Sequence, residues 1–345
     1  MPHFKSPTHD PDTEPVTGVL LVNLGTPDAP TGKALRPYLA QFLGDPRVIE
    51  YPRWAWQPLL HGVILNVRPR RSAELYASIW TEDGSPLLLG TQSLAQKLQE
   101  RLGAGVKVVV GMRYGRPSIH DALEELRRAN AQRILVAPLF PQYSATTTAT
   151  IYDVVFDEMK QWRYVPELRT INTYHTHPLY IQGIADSIRA HWQENGKADK
   201  LLLSFHGIPQ SYADKGDPYP AYCHESARLI AVQLGLDEAE YQVCFQSRFG
   251  PEEWLQPYTD KTLEAWAKEG VASVDTLCPG FAIDCLETLE EMAEQNKHIY
   301  LNAGGQQYQY IPCLNDSPAQ VDLFADLIRT NLTGLPDLSG LRGTL

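Results

Sequence analysis

Short apolar runs recur along the chain, and most of them stop at Gly, Pro or a small polar residue. Residues 19–23, 106–112, 134–140, 201–205, 242–246 and 274–278 read in this way as buried strands. Between them, residues 93–102, 118–128, 181–192, 222–234 and 260–268 carry apolar positions at helical spacing. Strands that alternate with helices in this manner predict an α/β chain of mostly parallel sheets with helices on both faces. A repeat is visible within the pattern. Leu20-Leu21-Val22-Asn23-Leu24-Gly25-Thr26-Pro27 resembles Leu202-Leu203-Ser204-Phe205-His206-Gly207-Ile208-Pro209. Met112-Arg113-Tyr114-Gly115 resembles Ser247-Arg248-Phe249-Gly250, and residues 135–141 resemble residues 273–279. These matches predict two similar Rossmann-like lobes, each a parallel β-sheet flanked by helices, with loops facing a central cleft. We place the first lobe at 16–170 and the second at 171–335, with tails at 1–15 and 336–345.

The repeat is uneven. Gly25 and Gly115 are 90 positions apart where Gly207 and Gly250 are 43 apart, so the first lobe carries 47 additional residues, placed at about 30–80. This insertion holds Tyr51, Trp54, Trp56, Leu59, Leu60, Ile64 and Leu65, followed by Arg68, Arg70 and Arg71. Two readings stand. It is a lip over a flat apolar ligand or against a membrane surface, with aromatics at headgroup level and cations on anionic lipid. Or it is a helical hairpin that only packs onto the core.

Composition narrows the function classes. A net charge of −11 over 345 residues argues against a nucleic-acid partner, which needs a basic footprint. Five Cys with no C-x-x-C pair suggest neither a disulfide framework nor a zinc knuckle, and fit a reducing cytoplasm. The first fifteen residues are polar and Pro-rich, read as a disordered tail without the apolar core of a signal peptide. No run reaches the roughly 18 apolar residues of a membrane span.

Two segments carry candidate chemistry. The strand at 201–205 runs straight into His206, with Gly207 and Pro209 behind it, so an imidazole stands at a strand's carboxyl end, where ligands of α/β sheets bind. After the strand ending near Cys278, a helix begins near Asp284. At α-helical spacing it would align Glu287, Glu290, Glu291 and Glu294 on one face. That stripe can attract a cation or pass protons along, or it is a solvated face with Asp284 and Glu287 as a capping box. His206 and Glu287 together suit acid–base work or a weak, open metal site. His175-Thr176-His177 reads as a loop before Pro178. No P-loop, no G-x-G-x-x-G and no G-x-S-x-G occurs.

The ordered motifs carry a resemblance. The segment from Gly18 to Leu332 resembles the ferrochelatases, which insert ferrous iron into a porphyrin. The matches are Leu21-Val22-Asn23-Leu24-Gly25-Thr26-Pro27, Asp83-Gly84-Ser85-Pro86, Gly111-Met112-Arg113-Tyr114, Pro141-Gln142-Tyr143-Ser144 and Ser204-Phe205-His206-Gly207-Ile208-Pro209. Gly216-Asp217-Pro218-Tyr219-Pro220, Phe245-Gln246-Ser247-Arg248-Phe249-Gly250-Pro251 and Asp284-Cys285-Leu286-Glu287-Thr288-Leu289 follow. The resemblance implies a lyase of haem biosynthesis with protoporphyrin IX and Fe²⁺ as substrates, acting in the cytoplasm or peripherally on the inner face of the cell membrane. It implies His206 and Glu287 as catalytic and metal-site residues and Glu291 as a further metal-path residue. It also implies Arg113, Tyr114, Ser247, Trp254 and Phe281 as porphyrin-binding residues. Some members hold a [2Fe–2S] cluster, but Ala145 stands at the first Cys position and no Cys follows Cys313, so no cluster and no permanently bound cofactor is expected. Cys285 stands where many relatives have a second His, and Gln295 where they extend the acidic line. Two other readings remain open at this point: a cobalt or nickel chelatase acting on a reduced tetrapyrrole, and a haem or porphyrin carrier without chemistry.

Overall fold

The computed structural model describes residues 4–5 and 13–333. The chain forms two units. In the first, β1 (Val16–Thr26) is followed by α1 (Gly32–Gly44), α2 (Arg53–Leu59), α3 (Leu65–Ile79) and α4 (Pro86–Leu102). Then come β2 (Val106–Gly115), α5 (Ile119–Arg128), β3 (Ala131–Pro138), α6 (Thr150–Met159) and β4 (Glu167–Thr170). The second unit contains α7 (Pro178–Asn195), β5 (Lys200–His206), α8 (Gln210–Asp214), α9 (Tyr219–Leu234) and β6 (Tyr241–Gln246). It continues with α10 (Thr259–Lys268), β7 (Ser273–Leu277), α11 (Lys297–Asn302) and β8 (Gln307–Ile311), and the last helix is α12 (Pro318–Leu332).

Every strand pair is parallel, and the two sheets share one topology: β2-β1-β3-β4 and β6-β5-β7-β8. The repeat read from short motifs is therefore a repeat of strand order. Each central strand is covered on both faces, which is why Val19, Leu20, Leu21 and Val22 in β1 and Leu202, Leu203 and Phe205 in β5 are fully buried. Strands β4 and β8 were not anticipated. They lie at sheet edges and carry Arg169 or alternating Gln and Tyr, so no apolar run announces them. The 47 extra residues of the first lobe are the helices α1, α2 and α3, joined between Leu60 and Ile64 by a π-helical turn.

Set beside the lobes expected at 16–170 and 171–335, the two compact units divide after Asn172 and again before Val321. Residues 140–144 join the second unit, and from Val321 onward the chain belongs to the first. There Arg101 pairs with Asp322 at 2.9 Å and Arg169 donates to the Asn331 carbonyl at 2.5 Å. The tail placed at 336–345 lies outside the described residues, as does most of 1–15. Lys5, however, is pinned rather than disordered. Its backbone bonds Gln161 and Arg163, and its ammonium reaches Glu158 at 2.5 Å and Glu124 at 3.3 Å.

Candidate active site

His206 is the last residue of β5, half-buried at the sheet's carboxyl edge. Its Nδ1 lies 2.6 Å from the Gly207 carbonyl oxygen. A carbonyl only accepts, so Nδ1 carries a hydrogen, and in the neutral tautomer the lone pair then sits on Nε2. Behind the ring stands Trp254, its centroid 6.4 Å from that of His206. The indole N–H donates to the Phe249 carbonyl at 2.8 Å, and Leu255 N–H bonds Ile208, which ties the Trp254 loop to the segment after β5. Gly207 is what permits this approach: a Cβ there would come within 3.1 Å of the Gln246 carbonyl oxygen and 3.2 Å of the Trp254 ring.

The acidic segment departs from α-helical expectation. Leu286 begins the helix, and from Glu287 to Asn296 it is wound as a π-helix, with bonds reaching five residues instead of four. Three buried side chains donate to its carbonyls: Gln246 Nε2 to Glu287 at 2.9 Å, Asn296 Nδ2 to Glu291 at 2.8 Å and Tyr308 Oη to Met292 at 2.7 Å. Met292 is fully buried beside Leu202, Cys244 and Val274, which anchors the wide coil to the sheet.

The wider turn splits the expected stripe of four carboxylates into two pairs. Glu290 feels burial and then Glu294, both raising its affinity for a proton. Glu291 feels burial most. It is pushed above the usual carboxylate range despite the opposing pull of Ser247 and His206, with Glu287 adding to the rise. Ser247 grips Glu291 twice, its N–H donating to Oε1 at 2.9 Å and its hydroxyl to Oε2. For this it adopts a φ of 66°, the left-handed region that a non-glycine residue enters at a cost.

The capping-box reading is overturned as well. Asp284 does not cap Glu287; its carboxylate accepts from Tyr310 Oη at 2.7 Å, Thr288 Oγ1 at 2.9 Å and Asn315 Nδ2 at 2.7 Å. Cys285 is buried, its thiol pushed well above its ordinary value by burial and by Glu287, so it stays protonated. Among the described residues no three His, Cys, Asp or Glu side chains stand together in an arrangement that could hold a metal ion, so His206, Glu287 and Glu291 are not a closed ligand set.

The remaining expected site residues divide. Ser247 and Trp254 adjoin Glu291 and His206, as just described. Phe281 is half-buried, leaning on the cluster of Leu202, Cys244 and Cys278. Tyr114, expected as a porphyrin-binding residue, is 0% exposed, its hydroxyl bonded to Asp45 at 2.9 Å within the first unit. Arg113 is committed beside it, to Asp45 through a terminal nitrogen and to Thr150 Oγ1 at 2.6 Å through Nε. The first unit has its own cavity of about 290 Å³ at the ends of β1 and β2, lined by Asp28, Trp80, Asp83, Ser85 and Arg116 among others. His175 and His177 are loop residues with separate partners, Tyr222 by stacking and Leu179 N–H by capping.

Sequence reasoning missed Gln246 and Asp45. Each is a polar residue next to a strand end or helix end that is 4–5% exposed, and nothing in a linear pattern marks such a residue as buried.

Comparison with known proteins bears on this geometry. The family model described as Ferrochelatase matches residues 16–332. A ferrochelatase of Nitrosococcus oceani is 52% identical over 336 residues, covering 96% of this chain and 91% of that protein. One of Thioalkalivibrio sulfidiphilus is 52% identical over 326 residues, covering 93% and 88%. Among solved structures, SirB from Bacillus subtilis with Fe³⁺ superposes with a TM-score of 0.54 at 12% identity, over 92% of this chain and 96% of that one, a likeness of fold. Identity at this level over nearly the full length means that the chain belongs to the ferrochelatase family.

Proposed function

We propose that His206, Glu287 and Glu291 are the residues through which this chain performs the family reaction. That reaction inserts Fe²⁺ into protoporphyrin IX, forming protohaem in the last step of haem biosynthesis and releasing two protons. Family membership decides against a cobalt or nickel chelatase of reduced tetrapyrroles and against a carrier without chemistry. Iron and porphyrin are substrates, and we propose no permanently bound group and no [2Fe–2S] cluster, since Ala145 stands at one ligand position.

What supports the residue assignment is that Gln246, the register partner of His206, bonds the Glu287 carbonyl, while the buried Glu291 carboxylate lies within electrostatic reach of both His206 and Glu287. Each turnover exchanges two pyrrole N–H protons for one dication. In the proposed division, Nε2 of His206 accepts a pyrrole proton, Glu287 balances the charge of the incoming metal, and Glu291 passes protons outward. A flat macrocycle keeps its lone pairs in plane, so binding must also bend it, at roughly 1–5 kcal/mol of strain. Trp254 and Phe281 are the proposed aromatic contacts in this unit.

The test is anaerobic turnover followed by the visible spectrum. His206→Ala is expected to lose roughly 10²-fold or more in turnover, the scale of a positioned proton acceptor, while still binding porphyrin. Glu287→Gln is expected to lose turnover with porphyrin affinity nearly unchanged. A folded His206→Ala protein that inserts iron at the wild-type rate refutes the assignment.

A second reading concerns place. No helix among the described residues is long and apolar enough to cross a membrane. The insertion nevertheless presents Trp54 at 82% exposure and Val67 at 69%, with Tyr51, Leu59 and Val63 also exposed, beside exposed Arg53, Arg70 and Arg71. We propose a cytoplasmic enzyme that rests this surface on anionic lipid, from which an apolar porphyrin would be drawn.

A further inference from the structure

We infer that Gln246 is a positioning residue for Glu287, a role that rests on the site reading above and extends it. Gln246 ends β6, is 4% exposed and is the register partner of His206 across the sheet. Its Oε1 accepts from Ser204 Oγ at 2.6 Å and faces Cys278 Sγ at 3.5 Å. The Glu287 carbonyl only accepts, so turning the amide over would set oxygen against oxygen; Nε2 is therefore the atom aimed at it, 2.9 Å away. Ser204 is itself held by Thr259 Oγ1 at 2.9 Å.

One buried side chain thus connects the strand that ends in His206 with the first residue of the π-helical segment. That winding is what sets Glu287 with Glu291 and apart from Glu290 and Glu294. A π turn is rare and needs support, and Gln246 supplies it at the end nearest the imidazole. Without that bond the Glu287 carbonyl loses a buried partner, and the segment is free to rewind toward four-residue spacing, which turns Glu287 relative to Glu291 and His206. Ser247, the next residue, holds Glu291 by its side chain. Neighbouring residues of one strand end therefore fix the two carboxylates, one through its backbone and the other through its oxygens.

The experiment compares Gln246→Met, which keeps the shape and loses the amide, with Thr259→Val, which weakens the same buried polar group and leaves the bond to Glu287 intact. Gln246→Met is expected to lower kcat about tenfold and raise the KM for Fe²⁺, with the KM for protoporphyrin within twofold of wild type. Thr259→Val is expected to lower the melting temperature to a similar degree with kcat within twofold. The inference is overturned if Gln246→Met keeps kcat within twofold, or if Thr259→Val loses as much turnover. Should Gln246→Met fail to fold, Gln246→Leu decides by the same kcat criterion, since it too removes the donor to the Glu287 carbonyl. If Glu287→Gln turns over normally, the site reading fails; if Glu287→Gln is impaired and Gln246→Met is not, only the positioning role fails.

Discussion

Ser247 shows how much one hydroxyl can decide. Burial drives the Glu291 carboxyl upward, and the two bonds from Ser247 hold it back. In Ser247→Ala the N–H bond remains and the hydroxyl bond is lost. A hydrogen bond to a charged group contributes about 1.5–3 kcal/mol, and one pH unit corresponds to about 1.4 kcal/mol. Removing a contact that favours the ionised form raises the carboxyl further, so the acid limb of kcat/KM is expected to move to higher pH by about one to two units. A pH–rate profile measured with and without the substitution checks this; an unmoved limb means that Glu291 does not titrate in turnover. His206 was legible as a residue because Gly207 and Pro209 isolate it at the end of an apolar run. Its tautomer was not, because that depends on a carbonyl folded back onto Nδ1.

Strands with adjacent apolar residues were the readable ones. Residues 19–22 of β1, 108–110 of β2, 134–137 of β3, 201–203 of β5 and 243–245 of β6 form such runs, whereas β4 and β8 contain no run of three. The acidic segment was found but wrongly wound, because residue spacing alone carries no sign of a five-residue turn. That sign lies in Gln246, Asn296 and Tyr308, which reach its carbonyls from other parts of the chain or from its own end. Packing at the close of β5 is equally non-local. Gly207→Ala would press a methyl against Trp254 and the Gln246 carbonyl. Overpacking of this kind costs roughly 1–3 kcal/mol, so a loss of several degrees in melting temperature is expected, with a shift in tryptophan emission as Trp254 yields. Unchanged emission would mean that the indole does not bear on Gly207.

At the scale of the whole chain, the sequence repeat foretold two sheets of the same strand order, and its uneven spacing foretold the helices α1 to α3. It did not foretell the return of residues from Val321 onward to the first unit, since α12 is amphipathic like its neighbours and nothing in its pattern names its partner. The exposed face of the insertion gives a prediction at this scale. Flotation with vesicles containing phosphatidylserine should carry the protein, and Trp54→Ser with Val67→Ser should release it while turnover with detergent-dispersed porphyrin stays within twofold. Binding that survives both substitutions would place the contact elsewhere.

The shared strand order carries a last implication. Leu24 occupies in β1 the place that His206 occupies in β5, each half-buried and each followed by glycine. Met112 stands likewise where Ser247 does. At these two positions the earlier half of the molecule carries hydrocarbon where the later half carries an imidazole and a hydroxyl. The halves are alike in path and unequal in side chain: on the proposed site, a swap of one for the other would preserve the weave of the strands and remove the proton acceptor.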